Sequence, residues 1–394
     1  MIKNLHTFDL KDKRILMRVD FNVPLNNGRI TDDFRLRAVI PTIQHCLEQG
    51  AAVVLMSHLG RPKGKIEDDM SLIPVGEHLA DLLEMPIKYS DDCISEDALD
   101  TSLGISAGEI HLLENLRFHN EETLNDSQFS MLLAKHGEVF INEAFGTAHR
   151  AHASNVGVVN HFKQKGMGFL MEKELRYLKD SFDHPRRPVT LILGGAKIDT
   201  KLSLILRFLN KADTIIISGG MAFTFIKSKG QEVGGSLIDE KMITTAAHII
   251  DSAKNNRAQL IYPSDFVCSK DIENQPEGIY SWREIPKGLM GLDIGPKSIE
   301  RFKKIILSSN TILWNGPMGV FEKEFYAEGT QLIAEALSEA TEEGKTTIVG
   351  GGDTAAAVRS FGYQDNVSHV STGGGASLEL LSGETLPAFS ALES

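Results

Sequence analysis

The stretch Val189-Thr-Leu-Ile-Leu-Gly-Gly-Ala-Lys-Ile-Asp-Thr-Lys201 decides the fold class. Its first five residues are β-branched or leucine, which is typical of a buried strand, and the glycine pair behind them indicates a turn that opens a helix. Further strands are predicted downstream at Thr214–Ser218, Gln259–Tyr262, Thr311–Trp314, Thr346–Val349 and Val367–Val370, with helices such as Asp239–Asn256 and Tyr326–Glu343 between them. This alternation of strand and helix predicts βαβ units and a parallel sheet.

The same alternation occurs upstream. Strands are predicted at Arg14–Asp20, Ala51–Met56, Ile110–Leu113 and Val139–Ala144, and helices at Asp32–Gln49, Ser71–Met85 and Asp126–His136. A charged helix, Glu172–Phe182, and a proline-bracketed segment, Asp183–Pro188, separate the two series. The sequence therefore predicts an α/β protein with two doubly wound parallel-sheet (Rossmann-like) domains joined by a hinge helix. The expected bounds are 1–171 and 189–380 for the domains, 172–188 for the hinge helix and linker, and 381–394 for a C-terminal segment.

Composition narrows the class of protein. The 394 residues include 41 Lys and Arg and 53 Asp and Glu, so the formal net charge is −12, which disfavours broad attraction to nucleic acid or to anionic membranes. Cys46, Cys93 and Cys268 are widely spaced and form no CxxC motif, as expected of reduced thiols. The N-terminal residues carry charges throughout, and no apolar run of about 18 residues occurs. We therefore expect a cytoplasmic protein.

Polar and basic residues follow the strands of the first series. They are Asp20, Phe21 and Asn22 after the first strand, His58, Leu59, Gly60 and Arg61 after the second, Arg117 after the third and Arg150 after the fourth, with Arg35 in the first helix. The carboxyl ends of parallel strands are where such sheets bind ligands. A guanidinium group suits phosphate and carboxylate because its planar fork gives paired donors. The pattern predicts a site for a small, hydroxylated anion.

Two less specific interpretations apply to these residues. Any one of the arginines could be a surface group in a solvated ion pair. His58, His149 and His152 could suggest a metal site or a general base, and orienting roles are favoured because no third ligand is obvious.

Glycines follow five strands of the second series. The clusters are Gly194-Gly195, Gly219-Gly220, Gly316 after Asn315, Gly350-Gly351-Gly352 before Asp353 and Thr354, and Gly373-Gly374-Gly375. Such turns let backbone N–H groups approach phosphate oxygens, and a helix amino terminus adds a positive dipole. Lys197 and Lys201 are four residues apart and are predicted to project from one face of a helix. Asp353 suits Mg²⁺, and Glu322 could accept hydrogen bonds from a ribose.

Two familiar nucleotide-binding motifs are matched only in part. Gly350-x-Gly352-x-x-Ala355 fits the dinucleotide pattern of nicotinamide-dependent oxidoreductases, but the next strand ends without the acid that holds the ribose. Gly344-Lys345-Thr346 resembles the end of a P-loop, but Glu339 stands where its first glycine belongs. A nicotinamide-dependent oxidoreductase remains the alternative, and a non-catalytic nucleotide-binding protein is a third possibility.

These motifs together resemble the phosphoglycerate kinase family. The matching stretches span nearly the whole chain: Arg18–Pro24, Ser57–Pro62, Glu114–Phe118, Ala144–His152, Gly194–Lys201, Trp314–Glu322, Gly350–Thr354 and Ser371–Leu380. The resemblance implies reversible, Mg²⁺-dependent transfer of the acyl phosphate of 1,3-bisphosphoglycerate to ADP, giving 3-phosphoglycerate and ATP, in a monomeric glycolytic enzyme. It also implies that the C-terminal segment returns to the N-terminal domain.

Roles follow from the resemblance, position by position. The glycerate would be held by Asp20, Phe21, Asn22, Arg35, His58, Leu59, Gly60, Arg61, Arg117 and Arg150. The nucleotide would be held by Lys201, Gly220, Gly291, Asn315, Glu322, Gly351, Gly352, Asp353 and Thr354, with Asp353 on Mg²⁺. Arg35, Lys197, Lys201, Gly373 and Gly374 are expected to stabilise the transferring phosphoryl group. Thr200 stands where the family often has Asp, and Ser382-Gly383-Glu384 departs from the usual Glu-Gly-Lys.

Overall fold

The computed structural model describes residues 2–393, which fold into two compact units. Unit 1 runs up to Arg176 and takes up the chain again from Thr385, whereas unit 2 is Tyr177–Glu384. Among the residues described, no helix combines the length and the apolar content that crossing a bilayer requires.

Unit 1 is built on a parallel sheet. Its strands are β1 Arg14–Arg18, β2 Leu25–Asn26, β3 Arg29–Ile30, β4 Ala52–Met56, β5 Ile87–Tyr89, β6 Ile110–Leu112, β7 Val139–Asn142 and β8 Lys165–Met167. Within residues 2–393 the sheet order is β5-β6-β4-β1-β7-β8, while β2 and β3 form a small antiparallel hairpin. Every residue of β4 and β7 is buried, as expected of a sheet covered on both faces.

The helices of unit 1 lie between these strands. They are α1 Phe34–Glu48, α2 Ile73–Leu83, α3 Glu96–Leu103, α4 Asn120–Leu124, α5 Ser127–Ala134 and α6 Phe169–Leu175. Ser95 and Asp126 begin α3 and α5 with side chains that accept the N–H of Ala98 and Phe129. The apolar faces of α1 and α2 pack on β1 and β4 in one core.

Unit 2 contains a second parallel sheet. Its strands are β9 Val189–Leu193, β10 Thr214–Ile217, β11 Gln259–Ile261, β12 Asp265–Ser269, β13 Gly278–Ser281, β14 Met290–Ile294, β15 Thr311–Asn315, β16 Thr346–Gly350 and β17 His369–Val370. For the described part of the chain the order is β11-β10-β9-β15-β16-β17. The strand order reverses between β9 and β15, and sheets of this kind bind ligands at that switch point.

The helices of unit 2 separate its strands, except where a small sheet intervenes. They are α7 Ser181–Asp183, α8 Leu202–Lys211, α9 Met221–Ser228, α10 Ile243–Ala253, α11 Pro296–Ser308, α12 Glu328–Glu342, α13 Gly352–Ser360 and α14 Gly375–Ser382. Strands β12, β13 and β14 form an antiparallel sheet that joins β11 to α11. The prediction of two doubly wound parallel sheets is confirmed, and this three-stranded sheet is an addition to it.

The last helix, α15 Pro387–Glu393, belongs to unit 1. The backbone N–H of Ala388 donates to the carbonyl oxygen of Ala148 at 3.1 Å, and the Phe389 and Phe145 rings lie 6.3 Å apart. Helix α15 therefore supports the segment that follows β7, where His149, Arg150 and His152 lie.

Candidate functional site

The ends of β1 and β4 are joined by a network of polar contacts. Arg35 Nη1 lies 2.9 Å from Asp20 Oδ2 and 3.1 Å from the carbonyl oxygen of Asn22. The Asn22 side chain in turn accepts the N–H of Gly60 at 2.9 Å. Gly60 has φ of 62°, and a Cβ there would lie 2.6 Å from Met70 Sδ, so this turn requires glycine. Asp20, Asn22, Arg35 and Gly60 are thus brought together, as the sequence predicts.

A cavity of about 440 Å³ lies beside this network. Three of the four predicted arginines line it, namely Arg61, Arg117 and Arg150. The other lining residues, which sequence reasoning assigned no role in binding, are Lys63, Gly64, His119, Asn120, Thr123 and His152. Lys63, His119 and Asn120 each stand two or three residues after a predicted arginine, and this proximity was the signal that could have found them.

Arg117 is the most constrained cation of this cavity. Its side chain is 6% exposed, and Nη1 donates to the carbonyl oxygen of Gly60 at 2.6 Å. Its Nε and Nη2 are buried and have no hydrogen-bond partner among the described residues. Burial, together with the positive charges of Arg18 and Arg150, lowers the pKa of Arg117 to about 10. A buried guanidinium with two unused donors costs free energy that an anion in the cavity would recover.

Arg18, the last residue of β1, is a buried cation in contact with His58. Arg18 is completely buried, and its Nε donates to Ser154 Oγ at 2.8 Å, which itself contacts Glu122 Oε1 at 2.6 Å. Arg18 Nη2 lies 3.2 Å from His58 Nδ1. Burial, reinforced by the charge of Arg18, holds the pKa of His58 well below its usual value. His58 is therefore a neutral ring with a fixed orientation.

Two of the residues predicted to bind glycerate have side chains in the apolar core. Phe21 is fully buried, and its N–H donates to Ser57 Oγ at 2.9 Å. Leu59 is 4% exposed, and its N–H and carbonyl oxygen are both bonded to the Asn115 side chain. These contacts fix the paths of the two turns whose polar residues line the site.

The glycine turns of unit 2 meet at the switch point of its sheet. A Cβ on Gly194 would lie 2.0 Å from the carbonyl oxygen of Pro317, and one on Gly219 would lie 2.4 Å from the backbone nitrogen of Gly195. The N–H of Gly316 donates to Thr354 Oγ1 at 2.6 Å. The ends of β9, β10 and β15 therefore pack backbone against backbone, which side chains larger than hydrogen would prevent, and Thr354 links the turn after β16 to them.

The two predicted lysines do not share a helix face, so that prediction was wrong. Helix α8 begins only at Leu202, and Asp199–Lys201 is a 3₁₀ turn, so the four-residue spacing does not place the two side chains above one another. Lys197 is exposed. Lys201 is 8% exposed, with Nζ on the carbonyl oxygens of Gly194 at 2.5 Å and Asn315 at 3.1 Å. Burial lowers the pKa of Lys201 to about 8, although the charge of Asp353 opposes this.

The start of α13 is the open part of this site. Gly351 has φ of 90°, and a Cβ on it would lie 2.9 Å from Asn315 Nδ2, a buried donor without a partner among the described residues. A Cβ on Gly352 would meet nothing within 4 Å, and Asp353 is exposed in the first helical turn. One free carboxylate beside open backbone donors fits Mg²⁺ that arrives with phosphates.

The remaining predicted residues lie around this centre. Gly220 precedes α9, where a Cβ would contact Ala196 and Leu237, and Gly291 lies in β14 with its N–H on Ser236 Oγ at 3.0 Å. Gly373 donates its N–H to Ser371 Oγ at 3.1 Å, and Gly374, with φ of 50°, begins α14 in open space. Glu322 is exposed, and no hydrogen bond within residues 2–393 joins it to the others.

Known proteins match this chain over nearly its whole length. The family model described as phosphoglycerate kinase matches residues 5–384. A phosphoglycerate kinase of Chlorobium phaeobacteroides is 47% identical over 392 residues, covering 99% of both chains. One of Thermosynechococcus vestitus is 46% identical over 394 residues, covering 100% of this chain and 98% of the relative.

Solved structures agree with these relatives. The structure of phosphoglycerate kinase from Coxiella burnetii has a TM-score of 0.88 and 35% identity, and it covers 100% of this chain and 99% of its own. The crystal structure of the enzyme from Pyrococcus horikoshii has a TM-score of 0.87 and 30% identity, with coverage of 100% and 98%. These comparisons give no support to the nicotinamide-dependent oxidoreductase. With its family model matched over 380 of 394 residues (384 − 5 + 1), this chain belongs to the phosphoglycerate kinase family.

Proposed function

We propose that this chain catalyses the reversible, Mg²⁺-dependent transfer of the acyl phosphate of 1,3-bisphosphoglycerate to ADP, which gives 3-phosphoglycerate and ATP in glycolysis. Its family membership supports this activity. The structural observation that carries the proposal is the buried Arg117, which has two donors unpaired within the described residues and lines a cavity together with Arg61 and Arg150.

The phosphate of the glycerate is assigned to this cavity, because three guanidinium groups there can bind it with paired donors. The hydroxyl and carboxyl end is assigned to Asp20, Asn22 and Arg35. Asp20 holds Arg35 through a 2.9 Å ion pair, so the guanidinium is oriented before substrate binds. A neutral His58 adds a hydrogen bond without adding charge.

The nucleotide phosphates are assigned to the start of α13 and to Lys201. The backbone donors at Gly351 and Gly352 are accessible, and the buried Asn315 amide lacks a partner within the described residues. Thr354 fixes this turn through Gly316. Asp353 would hold Mg²⁺, which neutralises phosphate charge when bound. Gly220, Gly291 and Glu322 are assigned to the nucleoside.

We propose direct, in-line attack of the ADP β-phosphate oxygen on the acyl phosphate. This reaction requires positioning and charge neutralisation more than covalent help from the protein. The leaving group is a carboxylate, which is a weak base, so it needs no general acid. Arg35, Lys197, Lys201 and the turn at Gly373 and Gly374 would stabilise the equatorial oxygens, with the Gly373 N–H leaving Ser371 Oγ for the phosphoryl group.

Residues 172–188 are proposed as a hinge that closes once both substrates are bound and so protects the acyl phosphate from water. The three cysteines are free thiols, which suits a reducing, cytoplasmic setting. We propose a monomer that binds small molecules, without a nucleic-acid or membrane partner.

A coupled assay of ATP formation from 1,3-bisphosphoglycerate and ADP tests this function. The wild-type chain is expected to turn over, and Arg35→Ala to lower kcat by orders of magnitude while ADP still binds, because Arg35 is assigned to the transferring group. Lys11→Ala, an exposed change before β1, is the charge-matched control. An inactive wild-type chain would refute the function, whereas near-normal kcat in Arg35→Ala would remove only Arg35 from the mechanism.

A further inference from the structure

Three side chains of different chemistry converge beside the cavity of unit 1. Asp92 and Cys93 lie between β5 and α3, and His119 directly precedes α4. One carboxylate oxygen, the thiol sulfur and one imidazole nitrogen all lie within 4.8 Å of one another. None of the three is needed for the phosphoryl transfer described above, although His119 also lines the arginine cavity.

Cys93 differs in its surroundings from the other two cysteines. Cys46 packs in the apolar core of unit 1, and Cys268 Sγ contacts the carbonyl oxygen of Phe266 at 3.6 Å. The Cys93 side chain is 1% exposed, and within residues 2–393 its sulfur has no hydrogen-bond partner on another side chain. It is thus a buried, unpaired thiol placed against a carboxylate and an imidazole.

Carboxylates near Cys93 favour a cation there, against the opposing charges of Arg61, Arg117 and Arg150 in the cavity that His119 also lines. Burial and the negative charges of Asp92, Glu122 and Glu114 raise the pKa of the Cys93 thiol well above its usual value. The same carboxylates would attract a dication placed at the sulfur, and a bound dication deprotonates a thiol outright. The field that keeps the free thiol protonated therefore supports metal binding.

We propose that Asp92, Cys93 and His119 form a binding site for a thiophilic divalent cation of the zinc class. Thiolate, imidazole and carboxylate are the ligands that Zn²⁺ takes in proteins. Tetrahedral bonds of their usual lengths separate ligand atoms by roughly 3.3–3.8 Å, so three atoms within 4.8 Å of one another could share a cation after a closure of at most about 1.5 Å. Mg²⁺ is excluded by the soft sulfur ligand.

Binding is balanced in protons and charge. The cation displaces the thiol proton of Cys93 to solvent. The Nε2 proton of His119, which now faces Asp92 Oδ2 at 3.2 Å, moves to Nδ1, and the freed Nε2 lone pair binds the cation. That hydrogen bond is exchanged for two bonds to the metal, and a water molecule completes four ligands. The second oxygen, Asp92 Oδ1, already accepts the N–H groups of Ile94 at 2.6 Å and Ser95 at 3.1 Å, so the carboxylate is oriented beforehand.

Cobalt(II) titration of the full chain tests the site. We expect one Co²⁺ per chain with the near-ultraviolet charge-transfer absorption of a cobalt–thiolate bond, and competition by Zn²⁺ but not by excess Mg²⁺. Cys93→Ala should abolish the absorption and weaken Co²⁺ binding by about tenfold or more. The matched controls Cys46→Ala and Cys268→Ala should retain both. An absent band in the wild type, or a band that survives in Cys93→Ala, overturns the proposal.

A second measurement guards against misfolded variants. Zn²⁺ should raise the unfolding temperature of the wild-type chain reversibly, with loss of the effect on chelation, because it binds the folded state. His119→Asn should lose this zinc-dependent shift while circular dichroism reports an intact fold. An equal shift in His119→Asn or in Cys93→Ala would refute the site. Neither readout uses catalysis, so the result does not depend on the proposed phosphoryl transfer.

Discussion

The burial of Arg117 lowers the stability of the free protein, and the binding of an anion would offset this cost. Its neighbours Arg18 and Arg150 are also cations, and its Nε and Nη2 are buried without a partner in the described chain. Such a group is destabilising until an anion takes up the unused donors. We therefore expect Arg117 to contribute more to substrate binding than the exposed Arg61.

Replacing Arg117 tests this expectation. Arg117→Ala should raise KM for the phosphoglycerate by about 10- to 100-fold, since a hydrogen bond to a charged group contributes about 1.5–3 kcal/mol. Arg117→Lys should recover only part of this, because an ammonium group cannot form the paired contact. Steady-state kinetics and ADP titration measure both effects. A loss of ADP affinity equal to the loss of glycerate affinity would contradict the assignment.

Lys201 makes a second prediction at this scale. Its pKa of about 8, lowered by burial, means that the free protein loses this charge as pH rises through 8. Bound phosphate favours the protonated form, so ADP binding near pH 8 should take up about half a proton per chain. Calorimetry in buffers of different ionisation enthalpy measures this uptake. Lys201→Met should abolish it and Lys197→Met should keep it, while uptake that persists in Lys201→Met would reject Lys201 as its source.

At the scale of elements, the long buried strands and their following turns were predictable, since β1, β4, β9 and β15 are apolar runs that end in polar or glycine residues. The antiparallel sheet was not predicted, because Gly278–Ser281 and its neighbours have mixed exposure and no regular alternation. The prediction of a helix at Lys197 was wrong. The Lys201 ammonium group instead donates hydrogen bonds to carbonyl oxygens of the neighbouring turns. Contacts between turns that are distant in sequence decide where such a helix begins, and the spacing of residues in the sequence does not reveal those contacts.

Elements α3, β6 and the end of α5 are joined through buried histidines. Ser102 Oγ lies 2.8 Å from His111 Nδ1 and 2.6 Å from His136 Nδ1. Burial lowers the pKa of each histidine to about 4. The folded state therefore favours the neutral rings. This contribution to stability is complete above about pH 6.5 and is lost as pH falls from there toward 4.

Acid stability should follow from this cluster. Each histidine is expected to cost on the order of 2 kcal/mol of the free energy of unfolding at pH 5. Between pH 7.5 and 5, wild type should therefore lose more stability than His111→Gln by about that amount. Burial raises the pKa of Glu143 and of Asp293 to about 7. Both groups titrate in wild type and in the variant, so their contributions cancel from the difference in stability. Urea unfolding with the exposed His6→Gln as control measures the difference, and parallel pH profiles would contradict it.

For the whole molecule, the two units have separate sheets and separate sets of candidate residues. The residues predicted to bind the glycerate all lie in unit 1, and those predicted to bind the nucleotide all lie in unit 2. The sequence predicted this division because arginines follow the strands of one series and glycines those of the other. Thr123 could not be assigned, since it lies six residues after Arg117 and nothing in the local sequence marks it as lining the cavity.

Hydrogen exchange with each ligand alone tests the division. Phosphoglycerate should slow exchange around residues 57–64 and 114–124, and Mg-ADP around the starts of α13 and α14, because ligand contact protects local amides. With both ligands present, residues 172–188 should gain protection if the proposed hinge closes. Each ligand protecting both units equally would argue against separate sites.

Helix α15 has a further consequence for how the protein is made. A ribosome releases the chain from its first residue onward, so unit 2, which ends at Glu384, emerges complete before the helix that finishes unit 1. The earlier-synthesised part of unit 1 must wait, with its Ala148 carbonyl uncovered, for the residues from Thr385 onward. A chain truncated before Pro387 should thus contain a native unit 2 and an unfinished unit 1, reversing the order in which the two begin along the chain.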